Sequence, residues 1–315
     1  GLVYLVLAFF FKQFGARKVM RFFPPIVTGP IIICIGLSLA GSAITNCQTG
    51  WLVALVAIGT VVAANIWGKG MVQIVPILLG VVASYVFAVI VDPAARANVA
   101  ATVAAADWFG FPVIWENTAL SIFGENLDVS MLLTAVVTIV PISLATIVEH
   151  VGDMCAISST VGKNFVENPG LHRTMLGDGL ACVAASFIGG PPVTTYSEVT
   201  GAISLTKIAD PGVIRIAAIF GILFSVIGKM SALLKTIPEA VLGGIMLLLF
   251  GTIAAVGVNS LVKNRVDLGN TRNLVIVSII LILGIGGAEF SVGTFNFGGI
   301  GLSAVVGVLL NLILP

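Results

Sequence analysis

Charged residues are scarce in this sequence. They make up 9% of its 315 residues, while hydrophobic residues make up 58% and the mean hydropathy is +1.14. A soluble globular domain carries roughly 25% charged residues, which cover its water-facing surface. The shortage therefore excludes a soluble enzyme, a nucleic-acid-binding protein and a disordered protein. The net charge of +1 gives no information about partners.

Histidine and cysteine are also few. The chain has two histidines and four cysteines, and no two cysteines are spaced as in a CxxC motif. Metal sites need clusters of such residues, so we expect neither a metal site nor an organic cofactor. The sequence also offers no nucleophile paired with a base. It therefore predicts no catalytic residues and a protein that is not an enzyme.

Long apolar runs are abundant instead. They lack the period-two alternation of barrel strands. The runs predict an all-α polytopic membrane protein with about ten spans of about 20 residues each. The predicted spans are 24–44, 51–67, 71–91, 131–155, 174–190, 197–208, 213–234, 238–258, 273–287 and 298–314, preceded by a partial helix at 1–11.

The basic residues orient these spans. If loop 12–23 faces the cytoplasm, most lysines and arginines fall in loops on that side, as the positive-inside rule requires. The long connection 93–128 is then external, and its alanines and aromatic residues predict a helix at the membrane interface. The run at 1–11 is too short to cross a membrane, so we expect the chain to begin partway through a helix, as a fragment would.

Four acidic residues fall within predicted spans, namely Glu149, Asp153, Asp178 and Glu198. An ionised carboxylate in a span costs roughly 2.5–3.5 kcal/mol on insertion scales, so such residues indicate function. Glu149 and Asp153 are four residues apart and share a helix face, where their repulsion favours one of them holding a proton. A structural pair bonded to backbone or hydroxyl groups is the alternative. His150 adjoins Glu149, and a lone histidine fits packing at least as well as proton transfer.

One predicted span is interrupted within 189–207. Two glycines and two prolines precede Val-Thr-Thr-Tyr, and this run cannot continue a helix. Broken helices at membrane depth line cavities and mark the binding sites of secondary transporters. Thr195 and Tyr196 fit the lining of such a cavity, and they fit equally well as partners of the free backbone groups. Ser197 fits the cap of a following half-helix, and Glu198 fits a substrate anchor that accepts two N–H groups.

Several stretches resemble a known family: ATIVEHVGD at 145–153, NPGLHRTMLGDGLA at 168–181, GGPPVTTYSEVTGAISLTK at 189–207 and TIPEAVLGGIMLLLFGTIAAVG at 236–257. On these motifs the chain is identified as a member of the nucleobase:cation symporters, which include uracil and purine permeases. The resemblance implies fourteen spans in two inverted seven-helix repeats, and a short strand in the broken segment whose partner strand would precede Gly1. It implies a core domain from 1–11 and 129–234, and a gate domain from 24–91 and 238–315.

The resemblance also implies residue roles. The residues implied for base binding are Glu149, Glu198, Ser197, Tyr196 and Thr195, and those implied for proton coupling are Asp153, Asp178 and His150. Val199 stands where the family usually has Asn, which leaves the choice of substrate open. We therefore expect proton-coupled uptake of uracil across a bacterial cytoplasmic membrane, with H⁺ as the coupling ion. Xanthine or another purine is the alternative substrate, and an anion transporter of the same fold is a distant alternative. The expected partners are the base, the lipid bilayer and a second copy in a homodimer.

Overall fold

The computed structural model describes residues 1–15, 18, 24–123, 129–195, 199–200, 203, 207–292 and 295–315, and most of these are helical. In the first part of the chain the helices are α1 (Leu2–Phe14), α2 (Pro25–Ser38), α3 (Ala40–Gln48), α4 (Trp51–Trp67), α5 (Met71–Ile74), α6 (Pro76–Val91) and α7 (Pro93–Ala105). The later helices are α8 (Val129–Val161), α9 (Leu171–Phe187), α10 (Pro211–Val226), α11 (Gly228–Lys235), α12 (Glu239–Lys263), α13 (Thr271–Ile285) and α14 (Gly299–Ile313). Short turns at Trp115–Asn117, Ala119–Phe123 and Val166–Gly170 connect some of them.

Polar residues start several of these apolar helices. The side chains of Asp92, Asp210 and Asn270 each accept a hydrogen bond from the backbone N–H two residues later. An oxygen at this position satisfies one of the N–H groups that a helix leaves free at its start. In α7 and α10 a proline follows the cap, where its missing N–H does no harm. Few polar residues are therefore enough to mark where one apolar helix ends and the next begins.

The helices follow the predicted spans closely. The helix α4 has the predicted bounds, α9, α13 and α14 lie within about a turn of theirs, and α12 continues past its predicted end at 258 to Lys263. The predicted spans 24–44 and 71–91 are each divided into two helices, at Leu39 and at Val75. Among the described residues, two helical stretches are long and apolar enough to cross a membrane, Pro25–Gln48 (α2 and α3 together) with 24 residues and Glu239–Lys263 with 25. The pair α6 and α7 passes the same test jointly but bends by 110° between them. The position of the segment 93–128 at the external membrane interface stays a prediction.

The predicted span 213–234 is not one helix. It ends as α10 and restarts as α11 after Ile227, which forms an isolated antiparallel bridge with Phe109. The N–H of Gly228 donates to the carbonyl of Trp108 at 3.0 Å, and the N–H of Gly110 donates to the carbonyl of Val226 at 3.0 Å. These bonds to the loop after α7 replace helical ones, so the helix breaks where the loop pairs with it. Hydropathy alone gives no sign of such a break.

The predicted interruption after α9 is present. The helix ends at Phe187, and residues 190–195 have no regular structure. The short strand implied for this segment is not formed by its described residues, because none of them pairs with another strand. Residues 196–198, 201–202 and 204–206 lie outside the described residues. The one sheet found in the described parts is an antiparallel hairpin of β1 (Glu289–Val292) and β2 (Phe295–Gly298), which the sequence did not predict.

The chain divides into two compact units. The first comprises Gly1–Ser38, Val113–Thr200 and Gly251–Pro315, and the second comprises Leu39–Pro112 and Gly201–Phe250. The assignment of predicted segments to a core domain and a gate domain stays a prediction.

The first unit contains two apolar clusters. One joins α2, α13 and α14, with Val27, Ile276 and Ile280 fully buried. The other joins α1, α8 and α9 through Tyr4, Ile147 and other buried side chains. This second cluster fixes the positions of α1, α8 and α9, which carry the candidate site described below. In the second unit a smaller cluster joins α4 to α12.

Candidate functional site

A polar cluster lies among these buried helices of the first unit. The His150 side chain of α8 has an exposure of 3%. Its Nδ1 atom lies 3.1 Å from Oδ2 of Asp178 and 2.7 Å from Oγ1 of Thr195. The Thr195 hydroxyl and the same Asp178 oxygen are 3.1 Å apart. One atom from α8, one from α9 and one from the broken segment thus form a triangle in which every pair is within hydrogen-bond distance.

The other ring nitrogen of His150 has a partner of its own. Its Nε2 atom lies 2.9 Å from the Thr174 hydroxyl oxygen. Thr174 donates its hydroxyl proton to the carbonyl of Leu171, one turn earlier, at 3.1 Å. While that proton bonds to the carbonyl, the Thr174 oxygen accepts from the ring, an arrangement in which Nε2 carries the proton. In the other arrangement the Thr174 hydroxyl turns to Nε2, and Nδ1 carries the proton.

The triangle has room for one more proton than its groups carry in their ordinary states. A neutral His150 protonated on Nε2 presents a lone pair at Nδ1, and an ionised Asp178 only accepts. The Thr195 hydroxyl then supplies the only proton within the triangle, which can form one of the three hydrogen bonds. In the other two contacts, two acceptor atoms face each other. A second proton, on Nδ1 or on Asp178, converts another contact into a hydrogen bond. The geometry is thus suited to holding one transferable proton.

Tyr4 of α1 closes one side of the cluster. Its ring meets the His150 ring edge-on, with the centroids 6.3 Å apart and an interplanar angle of 86°. Its hydroxyl donates to the Thr146 hydroxyl at 2.8 Å, and Thr146 in turn donates to the carbonyl of Ser143. Aromatic edges placed in this way pack well and satisfy their polar ends. The contact keeps α1 against the face of α8 that carries His150.

The broken segment is fastened to α9 at a second point. The thiol of Cys182 donates to the carbonyl of Val193 at 2.8 Å. Residues 193 and 195 are therefore held by α9 and α8 through Cys182, Asp178 and His150. Directly after these residues come Tyr196, Ser197 and Glu198, which lie outside the described residues.

The other predicted residues of α8 are described. The Asp153 side chain is buried, with an exposure of 6%, and Glu149 is half-buried. Their spacing places them on one face, as predicted. Three polar side chains surround the two ring nitrogens of His150, and its role in proton transfer stays a prediction. Among the described residues, no three His, Cys, Asp or Glu side chains are grouped so that they could hold a metal ion.

Sequence reasoning missed the contribution of the threonines. Thr174 lies four residues before Asp178 on α9, so the two share a face. That spacing was a usable signal, but a threonine in an apolar helix most often bonds to its own backbone. Thr195 was predicted to lie by the substrate, which stays a prediction, and the structure shows its hydroxyl in contact with His150 and Asp178. A contact across 45 residues of chain cannot be found from spacing.

Apolar helices that bury ionisable groups beside a broken helix define the class of secondary transporters. Comparisons with known proteins give the particular family. Residues 1–292 match the family model described as "Permease family". The chain is 41% identical to the uracil permease of Bacillus caldolyticus over 325 residues, covering all of this chain and 73% of that protein. It is 34% identical to the uracil permease of Escherichia coli strain K12, covering 99% of this chain and 72% of that protein.

A third relative is the putative pyrimidine permease RutG of the same strain, 33% identical over 320 residues that cover 100% of this chain and 69% of that protein. The chain belongs to this permease family. It is therefore a transporter and not an enzyme, and a multi-pass protein of the bacterial cytoplasmic membrane. The expectation drawn from the resemblance of its motifs is confirmed at the level of the family.

Proposed function

We propose that this permease takes up uracil together with protons. The observation that carries the proposal is that relatives named uracil permease match the whole chain at 34–41% identity. The buried cluster of His150, Asp178 and Thr195 supports proton coupling, because its geometry suits one transferable proton. The choice of uracil over xanthine rests on the names of the relatives.

In this proposal the base and the proton occupy neighbouring groups. Glu149 and Glu198 accept the two N–H groups of the uracil ring, and Tyr196, Ser197 and Thr195 lie beside it. A carboxylate accepts such planar N–H groups well because each of its oxygens has two lone pairs. Asp153, Asp178 and His150 carry the coupling proton. His150 and Asp153 are buried in the protein, and such burial makes an ionisable group tolerable within a membrane.

The test is uptake of labelled uracil in cells that lack uracil transport of their own, with the gene expressed whole, including any codons before Gly1. We expect uptake that collapses with a protonophore and persists without sodium. Excess unlabelled xanthine should leave it unchanged. A protein that is present in the membrane but takes up labelled xanthine and no uracil would contradict the choice of substrate.

Individual roles are tested with isosteric changes. Glu149→Gln replaces an acceptor by a donor at the base, and we expect it to weaken uracil binding at least tenfold, as loss of about 1.4 kcal/mol does. Glu167→Gln, at an exposed position, is the matched control and should bind normally. We also propose a homodimer, which light scattering on the purified protein in detergent tests.

A further inference from the structure

We propose that the proton of the His150–Asp178 pair locks Thr195 in place, and that this lock makes the position of the base-binding residues depend on protonation. The inference rests on the proposed function and adds to it a named positioning residue, Thr195. It arises from one arrangement: the hydroxyl of the broken segment lies in the same triangle as the two groups that can share a proton.

The lock follows from counting protons. With one extra proton on Nδ1 or Asp178, the triangle forms two hydrogen bonds, and Thr195 joins α8 to α9. When that proton leaves, Thr195 has one hydroxyl proton for two acceptors, Nδ1 and Oδ2. The remaining acceptor pairs then lie at 2.7–3.1 Å with no proton between them. Buried acceptors at such distances repel each other, so the segment moves away or the proton stays.

Thr174 limits the ability of His150 to supply the second proton of the triangle itself. If His150 could move its own proton from Nε2 to Nδ1, the triangle would recover its second proton without taking one from outside. That shift requires the Thr174 hydroxyl to turn from the Leu171 carbonyl to Nε2, which gives up one hydrogen bond. The ring is therefore held in the form that depends on an external proton.

The lock acts on the substrate site through two short connections. Thr195 directly precedes Tyr196, Ser197 and Glu198 in the chain, and His150 directly follows Glu149. The two carboxylates proposed to hold the base thus lie on the two chain segments that the proton joins. With the proton present, the segments are fixed relative to each other. Without it, residue 195 is released, and the bond from the Cys182 thiol to the carbonyl of Val193, two residues earlier, loses the contact that holds it closed.

Other titratable groups face this cluster and must be kept constant in any test. They are Tyr4 on α1 and Cys182 on α9, and Glu149 and Asp153 are the acids nearest to His150 along α8. A variant of Glu149 or Asp153 would change the charge around His150, and its effect on the pH dependence could not be separated from that of the His150–Asp178 pair. The variants used here are therefore changes at Asp178 and Thr195 that leave those residues intact.

The experiment follows the thiol of Cys182, because it reports release of the broken segment without any substrate. In the whole protein, Cys34, Cys47 and Cys155 are replaced by alanine, so that Cys182 is the one thiol from the four cysteines of this chain. Its rate of reaction with a small methanethiosulfonate is measured across a range of pH. Thiolate formation also raises this rate, so each rate is divided by that of the Asp178→Asn variant. The asparagine NH₂ group donates to both Nδ1 and Thr195, which keeps the lock closed at every pH.

We expect the ratio to be near one in acid and to rise about tenfold or more as the pH rises, because each lost hydrogen bond to a charged group contributes about 1.5–3 kcal/mol. Thr195→Val should raise it at all pH values, since the methyl group cannot bridge the pair. Thr195→Ser keeps the hydroxyl and should behave as the parent. A parent ratio that stays near one at every pH would overturn the lock, even if the protein transports uracil.

Uracil binding and uptake by the same proteins separate this inference from the proposed function. Asp178→Asn should bind uracil with little dependence on pH and exchange it across vesicles, but fail to accumulate it against a gradient. A parent protein that protects Cys182 in acid yet binds no uracil contradicts the proposed substrate and leaves the lock supported. An Asp178→Asn protein that accumulates uracil as the parent does would overturn the lock.

Discussion

Thr174→Val tests the contact that sets the protonation of His150. Valine has nearly the same shape as threonine, so the change removes one hydroxyl and leaves the packing of α9 in place. It deprives Nε2 of its acceptor at 2.9 Å, on a side chain with an exposure of 3%. Water cannot readily replace the lost partner at such a site. The variant thus isolates the cost of an unsatisfied buried N–H group.

That cost sets the expected magnitude. A buried donor left without a partner costs about 1–3 kcal/mol. A loss of 1 kcal/mol lowers the melting temperature by roughly 2–4 °C in domains of 150–250 residues. We therefore expect Thr174→Val to melt several degrees below the parent, measured in detergent at a single scan rate because unfolding of such proteins is not reversible. Thr174→Ser keeps the hydroxyl and should stay close to the parent.

Thr45→Val is the matched control for loss of a threonine hydroxyl. Thr45 is exposed, and its hydroxyl bonds to the carbonyl of Gly41 on its own helix. We expect a change within about 0.5 kcal/mol, as for most surface substitutions. If Thr174→Val, Thr174→Ser and Thr45→Val all have the same melting temperature, the hydrogen bond from Nε2 to Thr174 does not stabilise the protein. The assignment of the His150 proton would then be wrong.

Three further variants probe contacts between helices away from the site. Gly257→Ala should destabilise the protein by about 1–3 kcal/mol, because its Cβ would lie 2.7 Å from the Gly29 carbonyl oxygen. Gly251→Ala is the control, since a Cβ at this position on the same helix meets nothing within 4 Å. Equal melting temperatures for the two variants would contradict the prediction. Arg272→Ala should lower the stability by about 1–2 kcal/mol, since the Arg272 guanidinium donates to carbonyls at the end of α14. A variant that melts at the same temperature as the parent would show that these bonds do not stabilise the protein. Lys229→Met should speed hydrogen exchange of the amides at the end of α7, because the Lys229 ammonium contacts the carbonyls there. Lys229→Arg keeps the charge and should not change the exchange. Unchanged exchange in the methionine variant would disprove the contact.

The sequence predicted the helices well because their bounds depend on local chemistry. Apolar runs set the position of α4 and α12, and proline with its capping acid set the start of α7 and α10. It failed at Ile227 and at the β1–β2 hairpin for one shared reason. Both depend on backbone hydrogen bonds between segments, which leave no mark on hydropathy. The interruption after α9 was predicted because glycine and proline act locally.

Some residues of the site could be predicted from the sequence and others could not, for the same reason. Acids within apolar runs are visible in a sequence because each is costly unless it is used, and this led to Asp153 and Asp178. The partners of His150 were not visible, since Thr174 and Thr195 come from other segments of the chain. The role of a histidine depends on which atoms face its two nitrogens. That information exists only in the folded chain.

The geometry of α8 explains why the base and the proton need separate groups. Successive residues of a helix point about 100° apart, so Glu149 and His150 cannot face the same partner. One peptide unit on α8 therefore connects a residue proposed to hold the base to a residue that faces Asp178. On the broken segment, one peptide unit connects Thr195 to Tyr196 in the same way. No flexible residue intervenes in either connection. Movement of the proton-bearing groups must then shift the base-binding groups, and a carrier that takes up its substrate only with a proton requires this dependence.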